Sequence, residues 1–561
     1  HLMQTFGPDK FVTVAQNYKD SRDSKKQDET LQYMKDGIPF ILQGVLRNSD
    51  NKTYGMPDIM VRSDYIPQIP DTQEDKDFKF LDTPALGKNF HYRIIDVKFT
   101  TLNYNASGDY LLGAAAYKSQ LAIYNMALGK LQGYIPPEAY LLGRNWKRTK
   151  AGSDYSGEGA FDKLGIVDLF NIDREYKKKA EEAVDWIRKV RNEGESWNIA
   201  NLLKFLTSDD PALVELGLSM GKGLDIWPNC NNTYDYPWHN AKMMLANELN
   251  ELTKVWQIGP KERAQAHSKG IFSWKDPELT PQKMEVKGAV KSNIMKKVLE
   301  INNQDEHIVF PEVISNNDQN WKQKQRLEFF VDFETVSNID DDFSQFPKQG
   351  GQELVFMIGC GYEKPRFSER SMVEGFEIEV FTAKNLSVEE EARIMVEWFE
   401  YMEQVKATID PNGPSPKIFH WSPAELTFMG VAQNNFEGDE KQALERIYKK
   451  RREMITNWKD LPWFDFLKVM KDEPIVVKDA FGFGLKAIAK NLEKHGKTTT
   501  TWEDGPADGL GAMVGAWHCD KISREKGIDM IETKIMQGIR EYNIIDCKAM
   551  WDLINYLRRN H

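Results

Sequence analysis

The stretch FFVDFETVSNID, residues 329–340, decides how the second half of this chain is read. Phe329, Phe330, Val331 and Phe333 are apolar, and Asp332 and Glu334 stand two positions apart among them. Side chains two apart on a β-strand point to the same face. The spacing therefore puts both carboxylates side by side on a strand that otherwise reads as buried. Two like charges at the mouth of a core repel each other and lose hydration. A divalent cation bound between them would remove that cost.

The whole chain sets the frame. Its 561 residues exceed one ordinary core and suit about three or four compact units of roughly 150 residues. With 41% hydrophobic and 28% charged residues the composition is globular. No run of about 18 apolar residues is present, so no transmembrane helix and no membrane partner are expected. The start, HLMQTFGPDK, lacks a basic-then-apolar signal pattern, and its HLM reads as a remnant ahead of a domain cut from something longer. Cys230, Cys360, Cys519 and Cys547 are far apart and form no C-x-x-C, which argues against a zinc ribbon, an iron–sulfur cluster and a disulfide scaffold. A reducing, intracellular setting is expected: the cytoplasm, a nucleoid or a viral replication site. The net charge of −11 argues against a basic coat. It still allows a nucleic-acid enzyme, because metal-binding carboxylates add negative charge and phosphate contacts need only a local groove. The basic clusters NWKRTK (145–150), EYKKKA (175–180) and IYKKRR (447–452) are, each alone, ordinary solvated helix faces.

Periodicity divides the chain into 1–150, 151–325 and 326–561. In the first region 38–46, 57–66 and 92–100 read as strands, 117–133 as a helix and 69–89 as a loop. The second reads as mainly helical, with an amphipathic helix over 174–194, two short helices broken at Gly259-Pro260, and a polar linker over 302–325. The third alternates strands (327–335, 352–362, 376–383, 415–422) with helices near 387–405 and 440–457 and ends in a helix over 539–559. The expected class is a multidomain α/β protein.

Two sets of residues carry chemistry. In the first region, GMPDIMVRSD puts Asp58 in a strand after a Gly turn, and YRIIDVKFTT puts Asp96 and Lys98 on one strand face. Gln120 and Tyr124 follow at i, i+4 on a helix. Two carboxylates can hold Mg²⁺ or Mn²⁺ through oxygen, and the lysine can activate water or stabilise developing charge. Asp-x-Lys alone is ordinarily a surface pair. The ordered set, with DETLQYMKDGIPFILQGVL upstream, resembles the RecB family of PD-(D/E)xK nucleases over residues 28–144. The resemblance implies a restriction-endonuclease-like α/β core and a metal-dependent DNA nuclease centred on Asp58, Asp96 and Lys98. Glu29 or Gln43 would complete the metal shell.

In the last region Asp332 and Glu334 are joined by Glu425 in KIFHWSPAELTFM and by Tyr542 and Asp546, at i, i+4, in YNIID. This pattern resembles the DEDD exonucleases, with their RNase H-like fold, over residues 326–560. It is closest to the domain found fused behind RecB-type nucleases, where the middle carboxylate lies in an H-Y-x-x-x-E context; here it is HWSPAE. The resemblance implies a two-metal site held by Asp332, Glu334, Glu425 and Asp546, with Tyr542 orienting the attacking water and 3′-to-5′ cleavage from ends. Glu425 stands where the pattern usually has Asp. Asp465, in LPWFDFLKVM, is a further ligand candidate and equally a helix-capping Asp. KDAFGFGLKAIAKNL (478–492) reads as a loop and N-cap before a core helix, or as a backbone approach to a nucleic-acid strand. Trp421, Trp463, Phe464, Phe481 and Phe483 read mostly as core. His239 and His267 are isolated, and WPNCNNTYDYPWHN keeps only Cys230 of the cysteines that some related chains carry there.

The expected function is metal-dependent hydrolysis of DNA phosphodiesters, with RNA as an alternative substrate, at two sites joined by a helical connector, in repair, recombination or defence. One rival keeps only the first site catalytic and makes the last domain a nucleic-acid binder. The other is a non-catalytic DNA-binding adaptor for a separate helicase, since no G-x-x-x-x-G-K-[ST] is present.

Overall fold

The computed structural model describes residues 1–69, 83, 85–150, 152–156, 162–197, 227–337, 353–364, 375–437, 461–502 and 509–561. The expected helix over 440–457, the basic cluster 447–452 and most of the expected loop 69–89 lie outside them. The described residues form two compact units, one of residues 1–197 and one from residue 227 onward. Both mix helices with β-sheet.

The first unit is built on a seven-stranded sheet. Its strands are β1 (Phe11–Thr13), β2 (Phe40–Leu42), β3 (Ile59–Arg62), β4 (Tyr92–Tyr104), β5 (Glu138–Lys150), β6 (Ser153–Ser156) and β7 (Gly165–Asp168). They run in the order β1-β2-β3-β4-β5-β6, with β7 also pairing with β5. Helix α1 (Ser24–Asp36) precedes β2; Asp23 accepts a hydrogen bond from the Lys25 amide at its start, and Gly37 ends it in the left-handed region at φ 76°. β4 and β5 are parallel, so the chain between them must cross over, and it does so through α2 (Ala115–Gln132). On β4, Tyr92 and Ile94 share a core with Leu121 and Leu128 of α2. Ile95 faces the other way, toward Phe40, Tyr140 and Leu142. Even-numbered residues of β4 therefore face α2, and Asp96 and Lys98 continue that face. Strands were expected to be longer here: β2 stops at Leu42 because Gln43 takes φ 52°, and Asp58 sits just ahead of β3 rather than inside it. Helix α3 (Arg174–Glu193) is tied to α2 by a buried ion pair, Lys118 to Asp173 at 2.7 Å.

The second unit holds α4 (His239–Glu248), α5 (Pro260–His267), α6 (Ala289–Asn302), β8 (Val309–Phe310), β9 (Phe329–Val336), β10 (Leu354–Glu363), β11 (Phe376–Thr382), α7 (Val388–Ile409), β12 (Ile418–His420) and α8 (Ala424–Glu437). Then come β13 (Trp463–Asp465), α9 (Phe466–Asp472), β14 (Val476–Val477), α10 (Leu485–Lys494), α11 (Gly509–Lys526) and α12 (Lys534–Asn560). The main sheet runs β11-β10-β9-β12-β13. β9, β10 and β11 are antiparallel neighbours, and β12 and β13 run parallel to β9. Phe329 and Val331 join the core that contains Ile394, Met395 and Trp398 of α7, and Phe333 stacks edge-on against Trp398 at 5.5 Å. Phe330 joins the opposite core with Met550 and Ile554 of α12. The period-2 reading of 329–334 is thus realised, and Asp332 and Glu334 lie on the face that α12 covers.

Residues 302–325 are not a linker. β8 pairs with β14, and Trp321 is fully buried edge-on to Phe466 at 5.0 Å. Leu252, Val255, Ile294 and Val298 share one core with Phe419, Phe464 and the end of α12. From residue 227 the expected connector is therefore part of the second unit, while 152–156 and 162–197 belong to the first. Apolar anchors placed without a period among polar residues carry no signal a pattern reading detects. Gly259-Pro260 does break the helices as expected, with Pro260 at the first position of α5.

Gly359 lies opposite Asp332 across β9 and β10. A Cβ at Gly359 would stand 2.1 Å from Asn543 Oδ1 and 2.9 Å from Cys547 Sγ of α12. Gly359→Ala must lift the helix from the sheet, and the expected loss is about 1–3 kcal/mol in chemical denaturation. An unchanged midpoint would show that α12 is not seated on this glycine.

Candidate metal centre

Strand β9 and helix α12 together build the centre. Asp332 and Glu334 come from the same face of β9, and Asp546 comes from α12. Each offers one carboxylate oxygen, and these oxygens all lie within 4.8 Å of one another. Among the described residues this is the one group of three or more His, Cys, Asp or Glu side chains so placed. Glu334 is buried and the other two are half-buried. Burial, then the negative charges of Asp546, Glu334 and Glu425, push the Asp332 carboxyl well above the ordinary carboxylate range. Burial and Asp546 push Glu334 up to about 8. Burial pushes Asp546 up to about 7, opposed by a hydrogen bond from Trp502 and by the charge of Lys486.

Three neighbours absent from the motif hold this cluster. Asn543 Nδ2 donates to Asp332 Oδ2 at 2.7 Å. Trp502 Nε1 donates to Asp546 Oδ1 at 3.0 Å. Lys486, in the first turn of α10, places its ammonium 5.3 Å from the Tyr542 ring and 5.9 Å from the Trp502 ring. Asn543 was legible in principle, since it stands three residues before Asp546 and shares its helix face. Trp502 and Lys486 lie 44 and 60 residues from Asp546 along the chain, by subtraction, and nothing in their spacing marks them.

Glu425 does not join the three-carboxylate group. It follows β12, as expected, and lies in the first turn of α8. It is buried, and its Oε2 is 3.2 Å from His420 Nδ1. That same Nδ1 is 2.6 Å from the Ser422 carbonyl, which can only accept, so the proton sits on Nδ1. Burial raises the Glu425 carboxyl and His420 opposes the rise. Ser422 adopts φ 98°, a conformation that strains a residue with a Cβ by about 1–3 kcal/mol. Asp465 holds that turn: its Oδ1 accepts from the Ser422 amide at 3.0 Å. Asp465 occupies the N-cap of α9 without capping it, so it is not the expected cap, and it stands outside the three-carboxylate group. Of the aromatics expected mostly in the core, Phe464 and Phe483 are buried there, and Trp421 donates its indole N–H to the Phe483 carbonyl at 3.1 Å. His239 pairs with Asp235 at 3.0 Å, and His267 packs on Trp227 and Phe272.

The first unit gathers its set differently. Lys98 Nζ is 2.6 Å from Asp96 Oδ2 and 5.3 Å from the Tyr117 ring. Burial pushes the Asp96 carboxyl up to about 6, with Lys98 opposing the rise and Asp58 adding to it. Both Asp58 oxygens accept hydrogen bonds, from Gln43 Nε2 at 3.0 Å and from the Val97 amide at 2.7 Å. Gln43 therefore braces Asp58. Gln120 Nε2 donates to the Tyr124 hydroxyl at 2.8 Å, and Tyr124 feels the charges of Asp96, Lys98 and Asp58. A Cβ at Gly55 would stand 2.2 Å from the Tyr124 ring, so this glycine admits the tyrosine to the site. Glu29 is drawn off to Lys26 at 2.8 Å and to the Tyr33 hydroxyl.

No protein-family model matches this sequence, and no characterised protein or solved structure matches it significantly. The reading of the centre rests on its own chemistry. Three carboxylates converge to within 4.8 Å, a hard-oxygen set that suits Mg²⁺ or Mn²⁺.

The pH dependence follows in sign. A carboxyl whose pKa is raised in the folded state binds its proton more tightly there than in the unfolded chain, so stability falls as pH rises from about 4 to about 8. A bound cation relieves the repulsion. With EDTA, the second unit should melt at lower temperature at pH 8.5 than at pH 5.5. Saturating Mn²⁺ should raise the melting temperature by about 5–10 °C at pH 8.5 and far less at pH 5.5. Asp332→Asn should abolish the difference; equal cation shifts at both pH values would refute the site.

Proposed function

We propose that the chain hydrolyses nucleic-acid phosphodiester bonds with a divalent cation, most directly at the Asp332, Glu334 and Asp546 cluster. The observation that carries this reading is the convergence of three buried or half-buried carboxylates to within 4.8 Å. Mg²⁺ or Mn²⁺ held there would polarise a phosphoryl oxygen and lower the pKa of its water. The chain's own part is to hold the ion with Asp332, Glu334 and Asp546, to keep Asp332 oriented through Asn543, and to present Tyr542 one turn before Asp546 for orienting the attacking water. The water oxygen bonds to phosphorus, the ester P–O bond breaks, and the leaving oxygen takes a proton.

The order β11-β10-β9-β12-β13, with antiparallel β9–β11, parallel β12 and β13, and carboxylates on the central strand, supports an RNase H-like reading of the second unit. The meeting of Asp58, Asp96, Lys98, Gln120 and Tyr124 where β3, β4 and α2 come together supports a PD-(D/E)xK reading of the first. DNA is the favoured substrate class. A second reading, in which only the first site cuts and the second unit grips nucleic acid, is favoured by one observation: Glu425 is held by His420 and stays out of the cluster.

End-labelled single- and double-stranded DNA and RNA, with Mg²⁺, Mn²⁺ or EDTA, should separate these readings. Asp332→Ala should reduce one cleavage pattern at least about 100-fold and leave the other, and Asp96→Ala should do the reverse. A silent Asp332→Ala makes the second unit a binder. Absence of cleavage by the unaltered chain with every metal refutes the enzyme.

A further inference from the structure

In the first unit, residues 46–48 and 53–55 form a small antiparallel hairpin beside α2. Between hairpin and helix lies a cavity of about 500 Å³. Arg47, Lys52 and Lys130 line it together with Ser49, Thr53 and Tyr54, and no carboxylate does. In a chain of net charge −11, a concave surface carrying three cations and three hydroxyls is a local inversion of charge.

The cations are kept available. Lys130 reaches Asp50 at 2.6 Å and Ser49 Oγ at 2.7 Å, but Asp50 is largely exposed and screened by water. Arg47 donates to the Arg22 carbonyl, which leaves its charge unneutralised. Among the described residues Lys52 has no carboxylate partner, and it is exposed. Tyr54 is 41% exposed and presents its ring at the rim. Three cations beside the Ser49 hydroxyl, with the half-exposed Tyr54 ring that Arg22 overlies at 5.9 Å, match phosphate groups joined to bases.

We propose that this cavity binds the phosphate backbone of a single nucleic-acid strand whose scissile region lies at the Asp58, Asp96 and Lys98 centre. This deepens the nuclease reading of that centre and rests on it. The geometry of α2 sets the reach. Leu131, which also lines the cavity, is seven residues beyond Tyr124 on the same helix stripe, about 10 Å along the axis. The hairpin runs directly from the cavity to Gly55, under Tyr124, and on to Asp58. One strand a few nucleotides long can span both places.

The test is binding without cleavage. The full chain, in EDTA, is titrated against a fluorescent 12-nucleotide single-stranded DNA from 50 to 300 mM salt. Lys52→Ala and Lys130→Ala should each weaken binding about tenfold and lower the slope of log affinity against log salt by about 0.7, and Lys52→Arg should restore both. Lys52 has no carboxylate partner to lose, so its substitution should leave the melting temperature unchanged. Variants that bind as the unaltered chain does at every salt concentration overturn the proposal, as does an unaltered chain that binds no oligonucleotide. Competition by a nucleoside monophosphate or inorganic phosphate at the same concentration of phosphate groups overturns the strand and leaves a small-anion site. Because cleavage is not read, loss of nuclease activity and loss of this site are separate results.

Discussion

The second unit is organised around the repulsion of carboxylates that its own fold forces together. Asp332 and Glu334 cannot leave their face of β9 without turning Phe329, Val331 and Phe333 out of the core under α7. Helix α12 then closes over that face and adds Asp546. Its approach depends on Gly359, directly across the sheet from Asp332, where any Cβ would strike Asn543. The helix brings the third charge and, through Asn543, a donor that partly compensates Asp332. Packing therefore sets the electrostatic problem, and a divalent cation is the simplest group that resolves it.

The two centres resolve like-charge repulsion in different ways. In the first unit, Lys98 neutralises Asp96 directly and Asp58 spends both oxygens on neutral donors. In the second, burial and mutual repulsion make the carboxyls hold their protons toward neutral pH. A glycine admits the covering group in both: Gly55 makes room for Tyr124, and Gly359 for Asn543 and Cys547. The fourth carboxylate of the second unit is kept aside by a local device, the turn at Ser422, braced by Asp465, which aims His420 at Glu425.

Elements with strong periodicity and clear stops were legible. The helix expected over 117–133 is Ala115–Gln132, ended by Gly133, and the terminal helix expected over 539–559 runs Lys534–Asn560. Short apolar runs were less so. The strand expected over 38–46 reduces to Phe40–Leu42 because Gln43 leaves the extended region. The segment 302–325 was misread because Val309, Ile314 and Trp321 have no period, and their partners are residues 466–477 and the end of α12. In the candidate centres, residues two apart on a strand or four apart on a helix came out together. Residues joined only by the fold, Trp502 to Asp546 and Asp465 to Ser422 among them, had no spacing to reveal their roles.

By itself the sequence determined which side chains share a face, because backbone geometry makes that a local property: Asp332 with Glu334, Asp96 with Lys98, Tyr542 with Asp546. It also determined where α2 and α5 stop or start, through Gly133 and Pro260. Tertiary structure alone decided which faces meet. It brought Asp546 to β9 and Asp465 to the turn at Ser422. It also folded most of the expected connector into the second unit's core and placed a cationic cavity between the 46–55 hairpin and α2 of the first unit. Those outcomes depend on how helices and strands far apart in the chain pack to exclude water, and a burial pattern states that a face is covered without stating by what.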